Sequence, residues 1–344
     1  REMIFLLDAA NGLAQFQSGA IYDWPVPAEQ VLGVKRATPG LNLVVGSVGN
    51  FPEKVIFGFG QDSPFRDIRM RQAFSYAIDR DLYAEVAGNV QKFRDAGIPM
   101  EVRWATMMPC STAGFPGGTY EGYWLDPQGS DFGPNAKFFK RNLDEAKKLM
   151  SAAGHADGLE FEHTYPPSGL FGSASVTRIQ LLNGLLEGSG LKPKVREVQL
   201  PQWETIYINN PNPGDFDGII TAVDSGGPDP GAYMFQHLHK LGLRFAGSNP
   251  EGFAATDPRS QEGDPFLNER IDAIRKEFDN AKRIDLSNEM QRYFAEKFYQ
   301  ARYPAGTNSL SLFWPILANN FVYTGDLNSG WANIWLDNTK PPGA

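Results

Sequence analysis

Four histidines and several closely spaced carboxylates are the side chains of this sequence that are best suited to chemistry. His237 and His239 form an H-x-H pair, which can bind a metal ion from a strand, but the sequence supplies no third ligand at a suitable spacing. Close carboxylate pairs occur at Asp215 with Asp217 and at Asp224 with Asp229. Two carboxylates can act as acid and base, as in glycoside hydrolases, but acidic residues beside turns are far more common than catalytic pairs. The residues therefore favour neither a metal site nor a hydrolase.

The sequence also lacks the short motifs that mark common catalytic and nucleotide-binding sites. It contains no G-x-S-x-G, no P-loop, no G-x-G-x-x-G and no H-E-x-x-H. The single cysteine, Cys110, excludes an internal disulfide and a cysteine-based zinc site. We therefore expect no catalytic activity, no metal and no cofactor.

The composition is that of an ordinary soluble protein. Its 344 residues suggest roughly two domains, and 42% of them are hydrophobic. A net charge of −8 without a long basic cluster argues against nucleic acid or an anionic membrane as the main partner. The longest uncharged run, 303–325, contains prolines and asparagines, so we predict no membrane span. The first residues lack the apolar core and cleavage site of a signal peptide.

The elements that must position any site are organised around the run 215–234. Its apolar segment 218–223 is too short for a helix and predicts a buried strand. The strand leads into a loop, 224–231, with three glycines and two prolines. Such a loop can turn tightly and approach a ligand, and loops at the ends of buried strands often carry binding groups. A plain surface turn remains the alternative.

Helix and strand patterns surround this run and predict an α/β lobe. Apolar residues spaced by three or four predict a helix from Asp67 to about Val86, whose interleaved charges we interpret as helix-end charges and surface ion pairs. Asn142 and Glu145 form a capping box that predicts a helix ending near Gly154. Further predicted elements are strands at 41–45, 55–59, 159–165 and 194–200, helices at 175–190 and 203–208, and two helices meeting near 280–285.

Several segments together resemble the extracytoplasmic solute-binding proteins of ABC importers, the peptide, nickel and oligosaccharide group called family 5. Residues 65–80, FRDIRMRQAFSYAIDR, are similar to the most recognisable motif of that family. Four further segments occur in the order of the family: NLDEAKKLMSAAG at 142–154, GSGLK at 188–192, Phe216-Asp217 leading to Pro228-Asp229-Pro230, and 268–299 with its Ala281-Lys282-Arg283. The likeness extends through nearly the whole chain.

The resemblance implies an α/β fold like that of periplasmic binding proteins, of the class II, cluster C type, with two lobes. It covers the C-terminal part of the family fold, so the N-terminal part is expected to be missing. Residues 1–60 and 305–344 are then expected to belong to the first lobe, and 61–304 to the C-terminal lobe that closes on the ligand. A partner fragment that supplies the N-terminal lobes is an expectation of the same kind, because the first-lobe sheet would otherwise expose unpaired edges.

The resemblance further implies a receptor that binds a solute between the lobes by hinge closure and delivers it to an ABC permease. A peptide is the first expectation for the solute, an oligosaccharide is the close rival, and a sensory receptor of the same fold is the alternative role. The expected location is periplasmic or extracytoplasmic, with a lipid anchor upstream of this chain.

The resemblance also indicates where the ligand should lie. In peptide-binding members an aromatic residue and then an aspartate follow the strand, and the aspartate holds the amino group of the peptide. Here Val223 and Gly226 stand at those positions, and Asp224 lies two residues before the aspartate position. This departure puts recognition of an α-amine in question. The expected ligand-binding residues are Asp224, Ser225, Gly226, Trp203, Tyr123, Trp124 and Tyr233.

Overall fold

The computed structural model of the chain describes residues 8–50, 52–110, 122–166, 173–223, 229–320 and 335–342. Within them the helices are α1 (Ala9–Gln17), α2 (Ala28–Ala37), α3 (Ile68–Ala77), α4 (Arg80–Gly88), α5 (Val90–Asp95), α6 (Leu143–Ala152), α7 (Ser173–Glu187), α8 (Leu200–Tyr207), α9 (Pro230–Leu238), α10 (Pro265–Lys276) and α11 (Asn280–Lys297). The strands are β1 (Asn42–Asn50), β2 (Glu53–Phe57), β3 (Val102–Trp104), β4 (Leu159–Tyr165), β5 (Leu191–Glu197), β6 (Ile219–Val223), β7 (Gln300–Arg302) and β8 (Ala305–Phe313). Strands and helices alternate from β4 to β6, as the sequence predicts for an α/β lobe.

The larger sheet has five strands in the order β5-β4-β6-β2-β7. β4 pairs in parallel with both β5 and β6, whereas β2 runs antiparallel to β6 and β7. The outer strand β5 carries Lys194 and Arg196, which form ion pairs of 2.6 Å with Glu160 and 2.8 Å with Glu162 on β4. Charges on an edge strand discourage pairing with another chain, so this edge is protected.

The smaller sheet has three antiparallel strands in the order β1-β8-β3. The register of β1 against β8 shifts between Val45 and Val48, which is a β-bulge. Helices α1, α2 and α5 bury Phe16, Val31 and Phe93 in the core of this sheet. Trp104 of β3 and Ala305 of β8 instead join the core of the five-stranded sheet, so the two sheets share part of their packing.

The faces of the five-stranded sheet are covered by different helices. On one face the rings of Phe57 of β2 and Phe74 of α3 pack edge to face, with their centroids 5.1 Å apart. The same core also contains residues of α6 and α7. On the other face α8 packs Trp203 and Tyr207 against Ile56 and Ile220. Both faces of the central strands are therefore buried: all five residues of β2 are buried, among them the charged Glu53 and Lys54, and so are the first four residues of β6.

The helix predicted from Asp67 is in fact two helices. Asp67 caps α3 by accepting a hydrogen bond from the Arg69 amide at 2.8 Å, as predicted. The backbone leaves the helical region at Ile78, and Asp79 caps the new helix α4. Because α4 starts in a new direction, Leu82 and Val86 of the predicted apolar stripe are 46% and 50% exposed.

Two of the charges in that stretch differ from the surface ion pairs predicted for them. Arg71 and Arg80 are buried, with 1% and 4% exposure, and both donate hydrogen bonds to backbone carbonyls. Burial lowers the pKa of Arg71 to about 10 and that of Arg80 to about 9. The helix periodicity was a correct signal, but it could not reveal which charges point inward.

Other predicted elements are confirmed with shifted ends. Asn142 caps α6 by accepting from the Glu145 amide at 3.0 Å, and Gly154 follows with a φ of +94°. The predicted strands at 159–165 and 218–223 are β4 and β6. The C-terminal helix pair α10 and α11 meets at 277–279, before the predicted 280–285. In the part of the chain that the structure describes, no helix is both long and apolar enough for a bilayer crossing.

The described strands place four passages between the two sheets, because β3 of the smaller sheet lies in sequence between β2 and β4 of the larger one. Two of the connections are short: the chain leaves β1 at Asn50 and enters β2 at Glu53, and it returns from β7 at Arg302 to β8 at Ala305. The first of these connections, between Asn50 and Glu53, lies before residue 60, where the sequence predicts the end of the first lobe segment. The lobe boundaries 1–60, 61–304 and 305–344 stay a prediction.

Candidate functional site

One end of the five-stranded sheet collects the features expected of a binding site. β4, β5, β6 and β7 all end there and β2 begins there, because β2 runs antiparallel to its neighbours. The two short connections to the three-stranded sheet, from Asn50 to Glu53 and from Arg302 to Ala305, leave from this end, which we call the crossover edge. Val223, the last described residue before the predicted ligand loop, pairs with Glu53 at this edge. The loop 224–228 therefore begins beside the first connection between the sheets.

Glu53 is a fully buried carboxylate at the crossover edge. It accepts hydrogen bonds from the Ser175 hydroxyl and from the Arg178 guanidinium, whose Nε lies at 3.0 Å from Oε2. Burial opposes the charge of Arg178, but the hydrogen bonds and charge of Glu53 outweigh it and raise the pKa of that guanidinium. A buried ion pair with this many hydrogen bonds fixes the start of β2 to α7.

A chain of neutral hydrogen bonds lies on the same face of the sheet. His163 Nδ1 is 2.7 Å from the amide oxygen of Asn183, so it carries the proton and donates. Nε2 then accepts from the Thr221 hydroxyl at 2.7 Å, and that hydroxyl lies 3.0 Å from the Tyr303 hydroxyl. Burial lowers the pKa of His163 to about 4, although the Asn183 contact opposes the shift. His163 is therefore a neutral bridge between β4, β6 and the second connection.

Basic side chains occupy the opposite face at the same edge. Lys54 and Arg302 are register partners on β2 and β7, and their side chains are buried. The Lys54 Nζ lies 2.5 Å from His237 Nδ1 of α9. Arg302 donates to the Tyr233 hydroxyl and, through Nε, to the Met107 carbonyl at 3.2 Å. These contacts connect α9, which follows the predicted ligand loop, to β2 and β7.

Asp229 fixes the other end of that loop. Its carboxylate accepts from the Ala232 amide at 2.8 Å and so caps α9, and it forms an ion pair with Arg283 of α11. Both ends of the loop 224–228 are therefore anchored, at Val223 by the sheet and at Asp229 by a cap and an ion pair. Asp224, Ser225 and Gly226, the expected ligand-binding residues of this loop, lie outside the described residues.

The four predicted aromatic residues are mostly engaged in packing. Trp203 is 5% exposed and donates its indole N–H to the Thr221 carbonyl at 3.0 Å. Tyr123 is 2% exposed, and its hydroxyl donates to Asn280 at 2.7 Å.

The other two aromatic residues also have hydrogen-bond partners. Trp124 is partly exposed and donates to the Trp104 carbonyl at 3.0 Å, with Arg103 5.0 Å above its ring. Tyr233 is fully buried beside His237, at 4.7 Å between ring centroids. Tyr123 and Tyr233 share one core and Trp203 belongs to another, so the structure does not gather the four into one cluster. Their role in binding stays a prediction.

The side chains of His237 and His239, the H-x-H pair of the sequence, make contacts in different places. His237 contacts Lys54, while His239 lies 3.7 Å from Asp272 and stacks on Phe235. No group of three or more histidine, cysteine, aspartate or glutamate side chains suited to a metal ion occurs among the described residues. The H-x-H spacing is accounted for by these two separate contacts.

Sequence reasoning missed the buried charges Glu53, Lys54, Arg178 and Arg302. A usable signal was present, since Glu53 and Lys54 directly precede the apolar run 55–57 and would extend it as a strand. Charges at the start of a buried strand need partners, and these partners come from α7, α9 and β7, which are distant in sequence. The spacing of residues along the chain could not identify them.

Comparison with known proteins identifies the family. The model of the bacterial extracellular solute-binding proteins, family 5 middle, matches residues 2–243, more than half of the chain. The chain belongs to this family. No curated protein sequence matches it significantly.

Solved structures of this type show the same fold. The oligopeptide-binding protein AppA from Bacillus subtilis, in complex with a nonapeptide, is similar with a TM-score of 0.63 at 16% identity, over 96% of this chain and 59% of that one. MoaA from A. tumefacien R10, in complex with mannopinic acid, is similar at 0.61 and 19% identity, over 92% of this chain and 55% of that one. NikA from Brucella suis, in complex with Fe(III)-EDTA, is similar at 0.61 and 15% identity, over 93% and 58%.

These likenesses confirm the expected fold, that of periplasmic binding proteins of family 5. The chain spans between 53% and 60% of the length of such structures. At these identities they show the fold alone, and the solute of each belongs to that protein.

Proposed function

We propose that this chain forms part of a solute-binding receptor that works outside the cytoplasm. The receptor closes on a small polar oligomer, with a peptide as the first candidate, and delivers it to an ABC permease in the membrane. The observation that carries the proposal is that the loop 224–228 begins at the crossover edge, where the two short connections between the sheets leave. A solute held there touches the parts of the protein on both sides of the connections. Family membership supports the same role.

Closure of such a receptor is driven by the solute. A ligand shifts an open–closed equilibrium only by the difference between its affinities for the two states. A solute at the crossover edge gains contacts when the two sheets approach, so binding favours the closed state. The closed surface is then the signal that the permease recognises. This role requires no bond making or breaking by the protein.

Peptide specificity is the finest step of the proposal. The similar structures hold a nonapeptide, mannopinic acid and Fe(III)-EDTA, three solutes of different chemistry. Asp224 is the residue we propose for contact with a cationic amine, and Tyr123, Trp124, Trp203 and Tyr233 are proposed aromatic neighbours. A solute without such an amine, an oligosaccharide among them, would bind through other groups of the same edge.

Native mass spectrometry of the purified chain tests the proposal. We expect a mass above the 38.1 kDa of the polypeptide, and denaturing release should yield a small polar solute. Protein unfolded, washed and refolded serves as the control, since it should lose that mass and regain it when the released fraction is added back. A bare mass, with no stabilisation by peptide, opine, oligosaccharide or metal-chelate panels, would contradict the proposal.

A further inference from the structure

Arg103 of β3 lies where the three-stranded sheet meets the crossover edge. It pairs in register with Gly306, which on its other side pairs with Asn50, the last residue of β1. Two residues after Arg103, the Ala105 amide donates at 3.0 Å to the carbonyl of Pro304, which belongs to the second short connection. Arg103 therefore lies on the smaller sheet and beside both short connections.

The guanidinium of Arg103 is held from two directions. Its Nε donates to the Glu101 carboxylate at 2.6 Å, and its Cζ lies over the Trp124 ring, 5.0 Å from the centroid. The indole is itself fixed, because its N–H donates to the Trp104 carbonyl at 3.0 Å. Contact with an aromatic face and an ion pair at one nitrogen together give the guanidinium a defined orientation.

This guanidinium also keeps donors for a ligand. In the part of the chain that the structure describes, its hydrogen bonding uses only Nε, and an arginine carries four further N–H groups on its two Nη atoms. The side chain is 24% exposed, so a solute can reach these groups. Arg178 and Arg302, by contrast, bind Glu53 and Tyr233 inside the fold.

A short series of contacts connects Arg103 to the end of the predicted ligand loop. Trp124 follows Tyr123 in the chain, and the Arg283 guanidinium lies over the Tyr123 ring, 5.8 Å from its centroid. Arg283 also forms the ion pair with Asp229 that fixes the end of the loop. Few side chains therefore separate Arg103 from the loop, although the two belong to different sheets.

We infer that Arg103 binds a carboxylate of the solute, and that Glu101 and Trp124 position it for this contact. The two Nη groups of an oriented guanidinium match the two oxygens of a carboxylate with parallel hydrogen bonds. The inference rests on the proposed function and narrows its substrate class to solutes with an acidic group, such as any peptide with a free C-terminus. A neutral oligosaccharide offers no charge to this guanidinium.

Two tripeptide libraries without aspartate or glutamate test the inference, one with free C-terminal carboxylates and one with the same sequences amidated. The refolded, solute-free chain is incubated with each library, and mass spectrometry quantifies the retained peptides. We expect the parent to retain the acids at least about tenfold better than the amides, because amidation removes a charge-assisted pair of hydrogen bonds. Arg103→Gln should abolish this preference, because glutamine carries no positive charge.

Arg259→Gln is the matched control. Like Arg103, Arg259 pairs with a carboxylate two residues before it, that of Asp257, and its Cζ lies over an aromatic ring, 3.8 Å from the centroid of Phe253. Its loop packs beside the opposite end of β2 from the crossover edge. This variant should keep the preference of the parent for acids. Urea unfolding of both variants, which should match the parent, separates lost binding from lost folding.

Equal retention of acids and amides by the parent, retention of neither library, or the same change in both variants would each overturn the inference. Release of a solute without an acidic group in the native mass experiment would also overturn it, while supporting the receptor proposal. A bare mass in that experiment counts against the receptor itself, so the two failures are distinguishable.

Discussion

Buried charge at the crossover edge explains how individual residues hold the connections in place. Glu53 has no exposed surface, and the Arg178 side chain is 15% exposed. Removing such charges from water is expensive, and their attraction compensates only when the geometry and the further hydrogen bonds are good. Here Ser175 provides one of those further bonds. Loss of one partner should therefore cost far more than loss of both.

Replacing Arg178 with methionine tests this expectation. Among the described side chains, Arg178→Met leaves the buried Glu53 carboxylate with the Ser175 hydroxyl as its partner, so we expect a loss of about 3–5 kcal/mol in the free energy of unfolding. Combining it with Glu53→Leu should recover most of the loss, because no buried charge then remains unpaired. Urea unfolding of the two variants and the parent gives the values.

Lys194→Met is the matched control for that prediction. It breaks the Lys194–Glu160 pair, whose side chains are 67% and 57% exposed, and exposed pairs contribute about 1 kcal/mol or less. Equal losses in the free energy of unfolding for Arg178→Met and Lys194→Met would show that the buried Glu53–Arg178 pair does not hold β2 to α7. A double variant less stable than Arg178→Met would show the same.

His163 should make stability depend on pH in a defined window. Its pKa is lowered from 6.5 to about 4 in the folded protein, so between these values the unfolded chain binds more protons. Stability from this residue is therefore fully present above about pH 6.5 and is lost as pH falls toward 4, by up to about 3 kcal/mol. The stability difference between the parent and His163→Gln should shrink over that window in urea unfolding.

His155→Gln serves as the comparison for the pH series. His155 lies partly exposed in the turn before β4. Carboxylates titrate in both variants and cancel in the comparison with the parent. A His163→Gln difference that stays constant from pH 4 to 7 would mean that His163 is protonated in the folded state at acidic pH.

At the scale of elements, local signals predicted what depends on local sequence. The capping box at Asn142, the apolar run of β6 and the cap at Asp67 all act within a few residues, and each element is present. The break between α3 and α4 was missed because the apolar spacing continues across it. Asp79, the new cap, was read as one charge among several.

The direction of side chains at the candidate site depends on tertiary contacts, which the sequence does not display. Trp203 precedes the central strand in the chain and was named among the expected ligand-binding residues, and its indole N–H donates to the Thr221 carbonyl of that strand. The loop 224–231 was predicted from its glycines and prolines; it begins after Val223 at the crossover edge, and its last two residues, Pro230 and Gly231, belong to α9. The family motifs provided the fold, whereas the polar partners of Glu53 and Lys54 required the assembled sheet.

At the scale of the whole molecule, the two sheets differ in how deeply their strands are buried. The five-stranded sheet has buried faces on both sides and polar clusters at its crossover edge, while β1 of the smaller sheet is mostly half-buried or exposed. Folding stability and solute affinity should therefore be separable. Substitutions of Glu53 or Arg178 should act on folding, and substitutions in the loop 224–228 should act on binding.

Solute-induced stabilisation measures that separation. At 100 times its dissociation constant, a solute that binds only the folded chain should raise the free energy of unfolding by about 2.7 kcal/mol. Arg178→Met should lower the free energy of unfolding with and without solute equally, so the increment should persist. Asp224→Ala should reduce the affinity for a solute with a cationic amine by about 1.5–3 kcal/mol and leave an N-acetylated analogue unaffected. If Arg178→Met abolished the solute-induced rise in the free energy of unfolding, Arg178 would belong to the binding site. If Asp224→Ala left that rise unchanged for the solute with the amine, Asp224 would not belong to it.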